Sequence, residues 1–166
     1  GATDGIGKQT AFELATRGFR VLVHGRNEAK AGRAVAELRE KGVRAESLAP
    51  VWGDFASLSE VRSLATRVNR EAPTLDVLVN NAGIFAKKRE LTADGFELTM
   101  GVNHFAPFLL TLLLLPSMRS QEDGRIVNVS SMAHNRGRID FSDLTFEKTF
   151  DGYGAYAASK LANVLF

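Results

Sequence analysis

Short apolar segments alternate with amphipathic helical segments along almost the whole chain, and this alternation limits the fold more than any other feature. Strand, helix and strand in succession favour a parallel sheet, because the chain must cross back over the sheet before the next strand starts. We therefore expect a single domain of the α/β class over residues 1–166, with a Rossmann-like, doubly wound parallel sheet and helices on both faces. The expected strands are residues 20–24, 44–51, 75–79 and 125–129, and the expected helices are residues 27–41, 57–69, 95–118 and 155–166.

Local signals mark the ends of several helices. Asn27 can cap the start of one helix and Gly42 can end it. Ser57 and Glu60 form an S-x-x-E pattern, which predicts a capping box at the start of the next helix. Pro107 predicts a bend in the longest helix. The helix after the capping box has a periodic apolar stripe, which is expected to be buried: Val61, Leu64, Ala65 and Val68.

Composition excludes several classes of function. The 166 residues include no cysteine, so disulfides, thiolate metal sites and a cysteine nucleophile are excluded. The pI is about 9.1, but the basic residues are spread out, and the densest run, residues 87–89, favours a solvated loop over a nucleic-acid patch. The chain does not open on a basic and then apolar leader, and its most apolar run, residues 105–116, is shorter than a membrane-spanning helix requires. We expect a cytoplasmic protein with no nucleic-acid partner and no membrane segment in this chain.

The chain opens on a glycine-rich motif, GATDGIG, followed by a helical pattern. Gly1, Gly5 and Gly7 allow a tight turn and a close approach to a pyrophosphate, and the N-terminus of the following helix offers free N–H groups to the anion. The spacing G-x-x-x-G-x-G is not the commoner G-x-G-x-x-G, and a plain glycine-rich turn is an equally good interpretation of the motif alone.

Polar residues follow two of the expected strands. Asp54 follows the expected strand at residues 44–51 and is a candidate for hydrogen bonding to an adenine amino group. A loop residue or a cap of the next helix is the alternative. The turn NNAG, residues 80–83, follows the third strand, at the edge where open α/β sheets bind ligands. Asn and Gly also dominate ordinary turns, so a plain turn is the alternative.

Tyr156 and Lys160 form a Y-x-x-x-K pattern in the last helix. Residues four apart lie on one helix face, and a lysine ammonium beside a phenol favours its phenolate form. Tyr156 is therefore a candidate general acid/base, with a solvent-exposed pair as the alternative. The other tyrosine, Tyr153, has Ala157 at the matching position and so has no partner lysine.

Two further polar residues are candidates. Ser131 follows the last strand, so its hydroxyl is expected at the same sheet edge as the asparagine turn, where a turn serine is the alternative. Asn103 lies inside the longest helix among apolar neighbours, and a buried asparagine needs hydrogen-bond partners. Structural and catalytic interpretations of Asn103 are equally good.

The order of these motifs resembles that of the classical short-chain dehydrogenase/reductase family over essentially the whole chain. The glycine loop, Asp54, NNAG, the helical asparagine, the strand-end serine and Y-x-x-x-K follow one another as in that family. The amino-acid sequence is similar to that of the retinol-dehydrogenase-like subgroup at residues 81–84, 102–104, 127–131 and 159–166. The resemblance implies an NAD(P)-dependent oxidoreductase acting on CH–OH groups, with a hydride moved between NADP(H) and a hydrophobic carbonyl or alcohol.

The resemblance also implies roles for individual residues. The pyrophosphate is expected at Gly1, Gly5, Ile6 and Gly7. Asp54 is expected to bind the adenine, and Asn80, Ala82 and Gly83 are expected to line the adenosine side and brace the central sheet.

The same resemblance implies a catalytic set. Tyr156 is the expected proton donor or acceptor, and Lys160 is expected to hold the nicotinamide ribose and favour the phenolate. Ser131 is expected to hydrogen-bond the substrate oxygen, and Asn103 to hold a water that links Lys160 to solvent. No metal site is expected.

Arg26 indicates which dinucleotide is preferred. In such a fold, the strand that follows the first helix ends in a carboxylate when the ribose 2′-hydroxyl of NAD is bound. In this chain the corresponding strand, residues 20–24, is followed by Gly25 and Arg26 and has no carboxylate at its end. The guanidinium offers a planar cationic fork for a 2′-phosphate. A surface arginine is the alternative, but the missing acid points the same way, and we expect NADPH to be preferred over NADH.

Two departures from the family pattern qualify these expectations. Ser131 and Tyr156 are 25 positions apart, wider than in many classical members, with an insertion at residues 137–141 similar to the subgroup. The family's first, central strand is expected before Gly1, and its last strands and substrate helices after Phe166, so the chain alone is expected to be unstable or inactive. A non-catalytic nucleotide-binding regulator on the same fold is the alternative function, and pairing into a homo-oligomer through the helices 95–118 and 155–166 is an open expectation.

Overall fold

Strands and helices alternate along the chain in the computed structural model, which describes residues 1–118 and 123–166. The strands are Val21–Gly25 (β1), Leu48–Trp52 (β2), Val77–Asn80 (β3) and Arg125–Asn128 (β4). The helices are Gly5–Thr16 (α1), Glu28–Glu40 (α2), Leu58–Glu71 (α3), Leu98–Met100 (α4), Ala106–Met118 (α5) and Gly152–Leu165 (α6). A π-helical turn, Gly101–Phe105, joins α4 to α5, and short 3-10 helices lie at Ala45–Ser47 and Met132–Arg136.

The strands form two parallel pairs rather than one sheet. β1 pairs with β2, with Val21 opposite Leu48, and β3 pairs with β4, with Val77 opposite Arg125. The α/β class and the parallel pairing are confirmed, but within residues 1–118 and 123–166 no strand bridges the two pairs. A largely apolar cavity of about 430 Å³, lined by residues of both β1 and β3, lies between them.

Helices bury apolar side chains against each pair of strands. On one side, α2 packs with α1 and β1 through Val35, Leu38, Ala11, Ala15 and Val23. On the other side, the stripe predicted on α3 packs against Leu110 and Leu114 of α5, and all four of its residues are buried as predicted. At about 25 cal/mol per Å² of apolar surface removed from water, these two clusters supply the main drive for folding.

Several predicted boundaries are wrong; α6, for example, starts at Gly152 rather than at residue 155. The segment 44–51 begins as the 3-10 helix Ala45–Ser47, and its strand starts only at Leu48. The longest helix starts at Leu98 rather than at residue 95, because Gly95 adopts a φ of +84° that ends any helical run there. The buried Glu97 carboxylate then caps that helix by accepting hydrogen bonds from the backbone N–H groups of Thr99 and Met100, at 3.0 and 2.8 Å.

The irregularity in the longest helix lies one turn before Pro107. The backbone N–H of Ala106 donates to the carbonyl of Gly101, which is the wide spacing of the π-helical turn. Pro107, the second residue of α5, has no N–H to donate, so no backbone N–H bond forms at that position. This π-helical turn contains Asn103 and ends two residues before Pro107, and the bend predicted near Pro107 stays a prediction.

The capping box predicted at the start of α3 is wrong. Ser57 occupies the N-cap position, but its hydroxyl hydrogen-bonds to Ser59 Oγ at 2.9 Å instead of accepting from a backbone N–H of the helix. The Glu60 carboxylate accepts from the backbone N–H of Asp54 at 2.7 Å, and Asp94 from a distant loop accepts from the N–H of Leu58 at 2.8 Å. A tertiary contact thus replaces the local cap.

The Asn27 cap at the start of α2 is confirmed, since its side chain accepts from the N–H of Lys30 at 3.0 Å. At the other end of the helix, Gly42 follows α2 with a φ of +90°.

The continuous helix Leu98–Met118, with 21 residues and a mean hydropathy of 1.7 in its most apolar window, is long and apolar enough to cross a membrane by length and composition alone. In the structure 56% of that window is buried, and Leu110 and Leu114 belong to the core. The packing is that of a core helix.

Candidate functional site

The glycine loop lies against the turn that follows β3. Asn81 Nδ2 donates a hydrogen bond to the carbonyl oxygen of Gly1 at 2.7 Å. A Cβ atom on Gly1 would lie 2.6 Å from the Cα of Ala82, and one on Gly7 would collide with the Gly1 carbonyl. Glycine at positions 1 and 7 is therefore required by the close approach of two backbone segments. Asn81 was not singled out from the sequence, although neighbouring residues at a strand end point to opposite sides.

The N-terminus of α1 offers unpaired backbone donors. Asp4 caps the helix by accepting from the N–H of Gly5 at 2.7 Å. Among the residues that the structure describes, the N–H groups of Ile6 and Gly7 have no hydrogen-bond partner. Gly5 has a φ of +50°, and no atom lies within 4 Å of the place its Cβ would take. Open space in front of free N–H groups at the positive end of a helix fits a phosphate or pyrophosphate.

Asp54 and Arg26 lie at the same edge as the glycine loop. The backbone N–H of Gly53 donates to the carbonyl of Gly25 at 3.2 Å, which brings the two loops together. Asp54 Oδ1 accepts from the N–H of Ala56 at 2.9 Å, so Asp54 also closes its own turn. Arg26 is exposed, and within residues 1–118 and 123–166 its side chain makes no hydrogen bond or ion pair.

Asn80 points into the protein rather than towards the glycine loop. Its Nδ2 donates to Thr111 Oγ1 at 3.0 Å and to Asn128 Oδ1 at 2.8 Å, and the residue is buried. Asn80 thus ties β3 to α5 and β4. This geometry matches the bracing part of its expected role and does not bring its side chain to the glycine loop.

Asn103 links the turn after β3 to α6. Its Nδ2 donates to the carbonyl of Ile84 and to Ser159 Oγ, both at 3.0 Å, and its Oδ1 accepts from the N–H of Ile84 at 2.7 Å. The residue is fully buried, so every one of these bonds replaces lost water. Its backbone carbonyl accepts from Asn163 Nδ2 at 3.0 Å. In the structure, Asn103 thus has the structural role, in which it joins the turn after β3 to α6.

Lys160 lies on the buried face of α6. Its Nζ donates to the carbonyl of Val129 at 3.1 Å and lies 5.6 Å from the centre of the Tyr156 ring. Ser130 Oγ donates to the backbone carbonyl of Lys160 at 2.7 Å, which holds the end of β4 against the helix. Burial lowers the pKa of Lys160. A Cβ on Gly83 would lie 3.4 Å from this ammonium group, so the turn 80–84 packs directly on it.

Tyr156 presents a hydroxyl without a partner. Within the described part of the chain its Oη makes no hydrogen bond, and its ring is partly exposed and tilted against Phe85, with ring centres 5.6 Å apart. Ser131 Oγ accepts from the N–H of Ala133 at 3.3 Å, so its own O–H remains available to donate. The sequence offers Phe85, with Met132 and His134, as a candidate lining of one wall of the substrate pocket, with plain packing as the alternative.

The predicted site residues fall into two clusters that one turn connects. The first cluster is the glycine loop with the loops that carry Arg26 and Asp54. The second cluster holds Asn103, Tyr156 and Lys160, with Ser131 beside it on the loop after β4. The turn 80–84 contacts both, through Asn81 on one side and Gly83 with Ile84 on the other. Such a site can bind an extended anionic ligand at one end and transfer a proton at the other.

Comparisons with known proteins match the whole chain. A family model described as short chain dehydrogenase matches residues 1–166. The chain is 45% identical to retinol dehydrogenase 13 of Mus musculus and 44% identical to retinol dehydrogenase 12 of Homo sapiens, over its whole length in both cases. It covers 50% and 52% of those proteins, so it spans about half the length of the curated relatives it matches.

Solved structures show the same fold. A protein from Mycobacterium paratuberculosis matches with a TM-score of 0.84 and 41% identity, covering 99% of this chain and 57% of that one. A short chain dehydrogenase from Shigella flexneri, complexed with NADP, matches with a TM-score of 0.74 and 30% identity, covering 98% of this chain and 64% of that one.

Replacing Gly7 with alanine is expected to destabilise the protein by on the order of 1–3 kcal/mol. The new Cβ would meet the Gly1 carbonyl oxygen and lie 2.5 Å from Asn81 Nδ2, so the loop must move. Gly32→Ala in α2 is the matched control, because no atom lies within 4 Å of its Cβ position, and it should leave stability unchanged or raise it slightly. Urea denaturation measures both, and equal effects of the two variants would contradict the close approach.

Proposed function

This chain belongs to the short-chain dehydrogenase/reductase family, in its retinol-dehydrogenase-like subgroup, and from that premise we propose that it transfers a hydride between NADP(H) and a carbonyl or alcohol. The observation that carries the proposal is the Tyr156 hydroxyl, which has no partner in the described chain and lies on the same helix face as the buried Lys160. A phenol left free beside an ammonium group is suited to giving and taking a proton.

The residues of this chain supply and take up the proton of the reaction. A bound nicotinamide supplies the hydride, which adds to the carbonyl carbon of the substrate. Tyr156 donates its phenolic proton to the carbonyl oxygen, which becomes the hydroxyl of the product alcohol. Lys160 stabilises the phenolate left behind until solvent returns the proton. Alcohol oxidation is the same path in reverse, with the phenolate accepting the proton.

Ser131 and Asn103 support this step in different ways. The free O–H of Ser131 can donate to the substrate oxygen and stabilise the charge that develops there. Asn103 uses both N–H groups of its amide on Ile84 and Ser159, so it holds the turn 80–84 against α6 and thereby places Lys160. A water held at Asn103 stays a prediction.

We propose that NADPH is preferred over NADH. Arg26 is exposed directly after β1 with no carboxylate beside it in the sequence, and a guanidinium binds a phosphate through two parallel hydrogen bonds. The free N–H groups of α1 suit the pyrophosphate, and Asp54 has one carboxylate oxygen without a described partner for the adenine. The NADP complex of the similar Shigella flexneri protein supports this choice.

The proposed substrate is a hydrophobic carbonyl or alcohol compound. Phe85 packs on the Tyr156 ring and is 49% exposed, and Met132, next to Ser131, is 80% exposed. Apolar side chains that stay in water beside the reacting hydroxyl favour an apolar ligand. The names of the retinol dehydrogenases that the chain resembles point the same way. A cytoplasmic location and pairing into a homo-oligomer stay predictions.

A non-catalytic nucleotide-binding regulator is the alternative. It would keep the glycine loop and Arg26 but would have no use for a lysine buried beside a free tyrosine hydroxyl. Turnover of NADPH with an aromatic or aliphatic aldehyde by the full-length protein separates the two functions.

We further propose that residues 1–166 form one nucleotide-binding domain whose central strand precedes Gly1. The cavity between β1 and β3 is where such a strand would join the two pairs, and the facing edges of β1 and β3 are unpaired within the described residues. In the full-length protein, the amides on those edges should then exchange with deuterium as slowly as those bonded to β2 and β4. Rapid exchange at the facing edges, measured residue by residue by NMR, would exclude a strand between them.

Tyr156→Phe is expected to lower kcat by about 100-fold or more while leaving the Kd for NADPH within about twofold, because only the proton donor is removed. Tyr153→Phe is the matched control, since Tyr153 is 44% exposed and has no lysine four residues on, and it should keep full activity. Steady-state rates and calorimetry on the full-length protein measure both effects. A fully active Tyr156→Phe variant would end the assignment.

Arg26→Ala is expected to weaken NADPH binding by about 10- to 100-fold and to change NADH binding little, because a charge-assisted bond to the 2′-phosphate is lost. Arg70→Ala removes the same charge from the last turn of α3 and should change neither affinity. Calorimetric titration with each dinucleotide provides the comparison. An equal loss of affinity for NADPH and NADH would show that Arg26 does not bind the 2′-phosphate.

A further inference from the structure

His24, the fourth residue of β1, contacts three separate segments at the carboxyl edge of the strands. Its Nδ1 lies 2.8 Å from the backbone nitrogen of Gly1, and its Nε2 lies 3.0 Å from the carbonyl oxygen of Gly53. Its ring stacks on Phe55, with centres 4.7 Å apart and planes inclined by 24°. The imidazole therefore joins the glycine loop to the loop that follows β2.

The partners determine which nitrogen carries the proton. A backbone carbonyl can only accept, so Nε2 must be the protonated nitrogen that donates to Gly53. Burial lowers the pKa of His24, so the ring is neutral at working pH and carries a single N–H. Nδ1 is then an acceptor for the N–H of Gly1. Both ring nitrogens are used.

The backbone around His24 is bonded to the same segments. The N–H of Ala2 donates to the carbonyl of His24 at 2.9 Å, and the N–H of Gly53 donates to the carbonyl of Gly25 at 3.2 Å. Gly1 in turn carries the carbonyl that Asn81 holds and against which Gly7 packs. A shift of Gly1 would therefore displace Gly7 and the free N–H groups at the start of α1.

We propose that His24 is a positioning residue that holds the glycine loop in the shape that receives the pyrophosphate of a dinucleotide. This inference rests on the proposed dinucleotide-binding function. It adds His24 to Asn81 as a second side chain that holds this loop, with His24 at the Gly1 nitrogen and Asn81 at the Gly1 carbonyl.

The contacts of His24 are separate from the proton-transfer cluster. None of its described partners is Tyr156, Lys160, Ser131 or Asn103. Loss of His24 should therefore weaken nucleotide binding without changing the chemical step once the nucleotide is bound. This division between KM and kcat distinguishes a positioning role from general destabilisation, which would lower the amount of active protein and leave the affinity of the remainder unchanged.

His24→Phe in the full-length protein is the first test, because phenylalanine keeps the ring stacked on Phe55 and removes both hydrogen bonds. We expect the Kd and the KM for NADPH to rise about tenfold, as for the loss of about 1.4 kcal/mol, with kcat at saturating NADPH within about twofold. Calorimetry gives the Kd together with the fraction of binding-competent protein. An unchanged Kd, or a loss of binding-competent protein alone, would overturn the inference.

Two further variants keep the test decisive if His24→Phe does not fold. The amide oxygen of asparagine can take the place of Nδ1 and accept from Gly1, whereas the longer glutamine reaches towards Gly53 in place of Nε2. The inference requires His24→Asn to bind NADPH more tightly than His24→Gln, because the bond to the glycine loop is the one that matters. Equal or reversed affinities would contradict it.

Failure of the proposed function gives a different result. If the unmodified full-length protein binds neither NADPH nor NADH, both the dinucleotide-binding function and this inference fall. If it binds NADPH and His24→Phe binds equally well, only the inference about His24 falls.

Discussion

The five-residue turn 80–84 is the constraint on which the rest of the site depends. On one side, Asn81 holds the Gly1 carbonyl, so the glycine loop takes its position from the end of β3. On the other side, Asn103 bonds both the N–H and the C=O of Ile84 and also reaches Ser159 in α6. Three backbone groups and two side-chain amides therefore set the distance between the anion-binding end and the proton-transfer end.

Burial makes these few hydrogen bonds decisive. Asn103 and Ser159 are completely buried, and Asn80 and Lys160 are nearly so, so none of them can exchange a lost partner for water. A buried polar group that loses its hydrogen-bond partner destabilises the fold by about 1–3 kcal/mol. Arrangements of this network that leave such a group unpaired are therefore disfavoured. The π-helical turn at Gly101–Phe105 is part of that arrangement, because it contains Asn103 and lies between the regular helices α4 and α5. Wide turns of this kind occur often at functional sites.

Much of the fold could be predicted from local sequence, and the errors have a common cause. The stripe on α3 and the Asn27 cap depend on residues within one or two turns, and both are as expected. The Ser57 capping box failed because Asp94, 36 positions away, supplies the acceptor to Leu58 instead. The two separate parallel pairs, by contrast, agree with the expectation of an incomplete Rossmann-like sheet without its central strand.

The sequence by itself determined the class of fold and the family, and it marked candidate residues for the site, because strand and helix periods and the order of short motifs depend on residues close together in the chain. The tertiary structure alone decided how those residues are used. It turned Asn80 inward towards Thr111 and Asn128, brought Asn81 to the glycine loop, and placed His24 between Gly1 and Gly53. These outcomes depend on contacts between residues 23 to 80 positions apart, which no local pattern encodes.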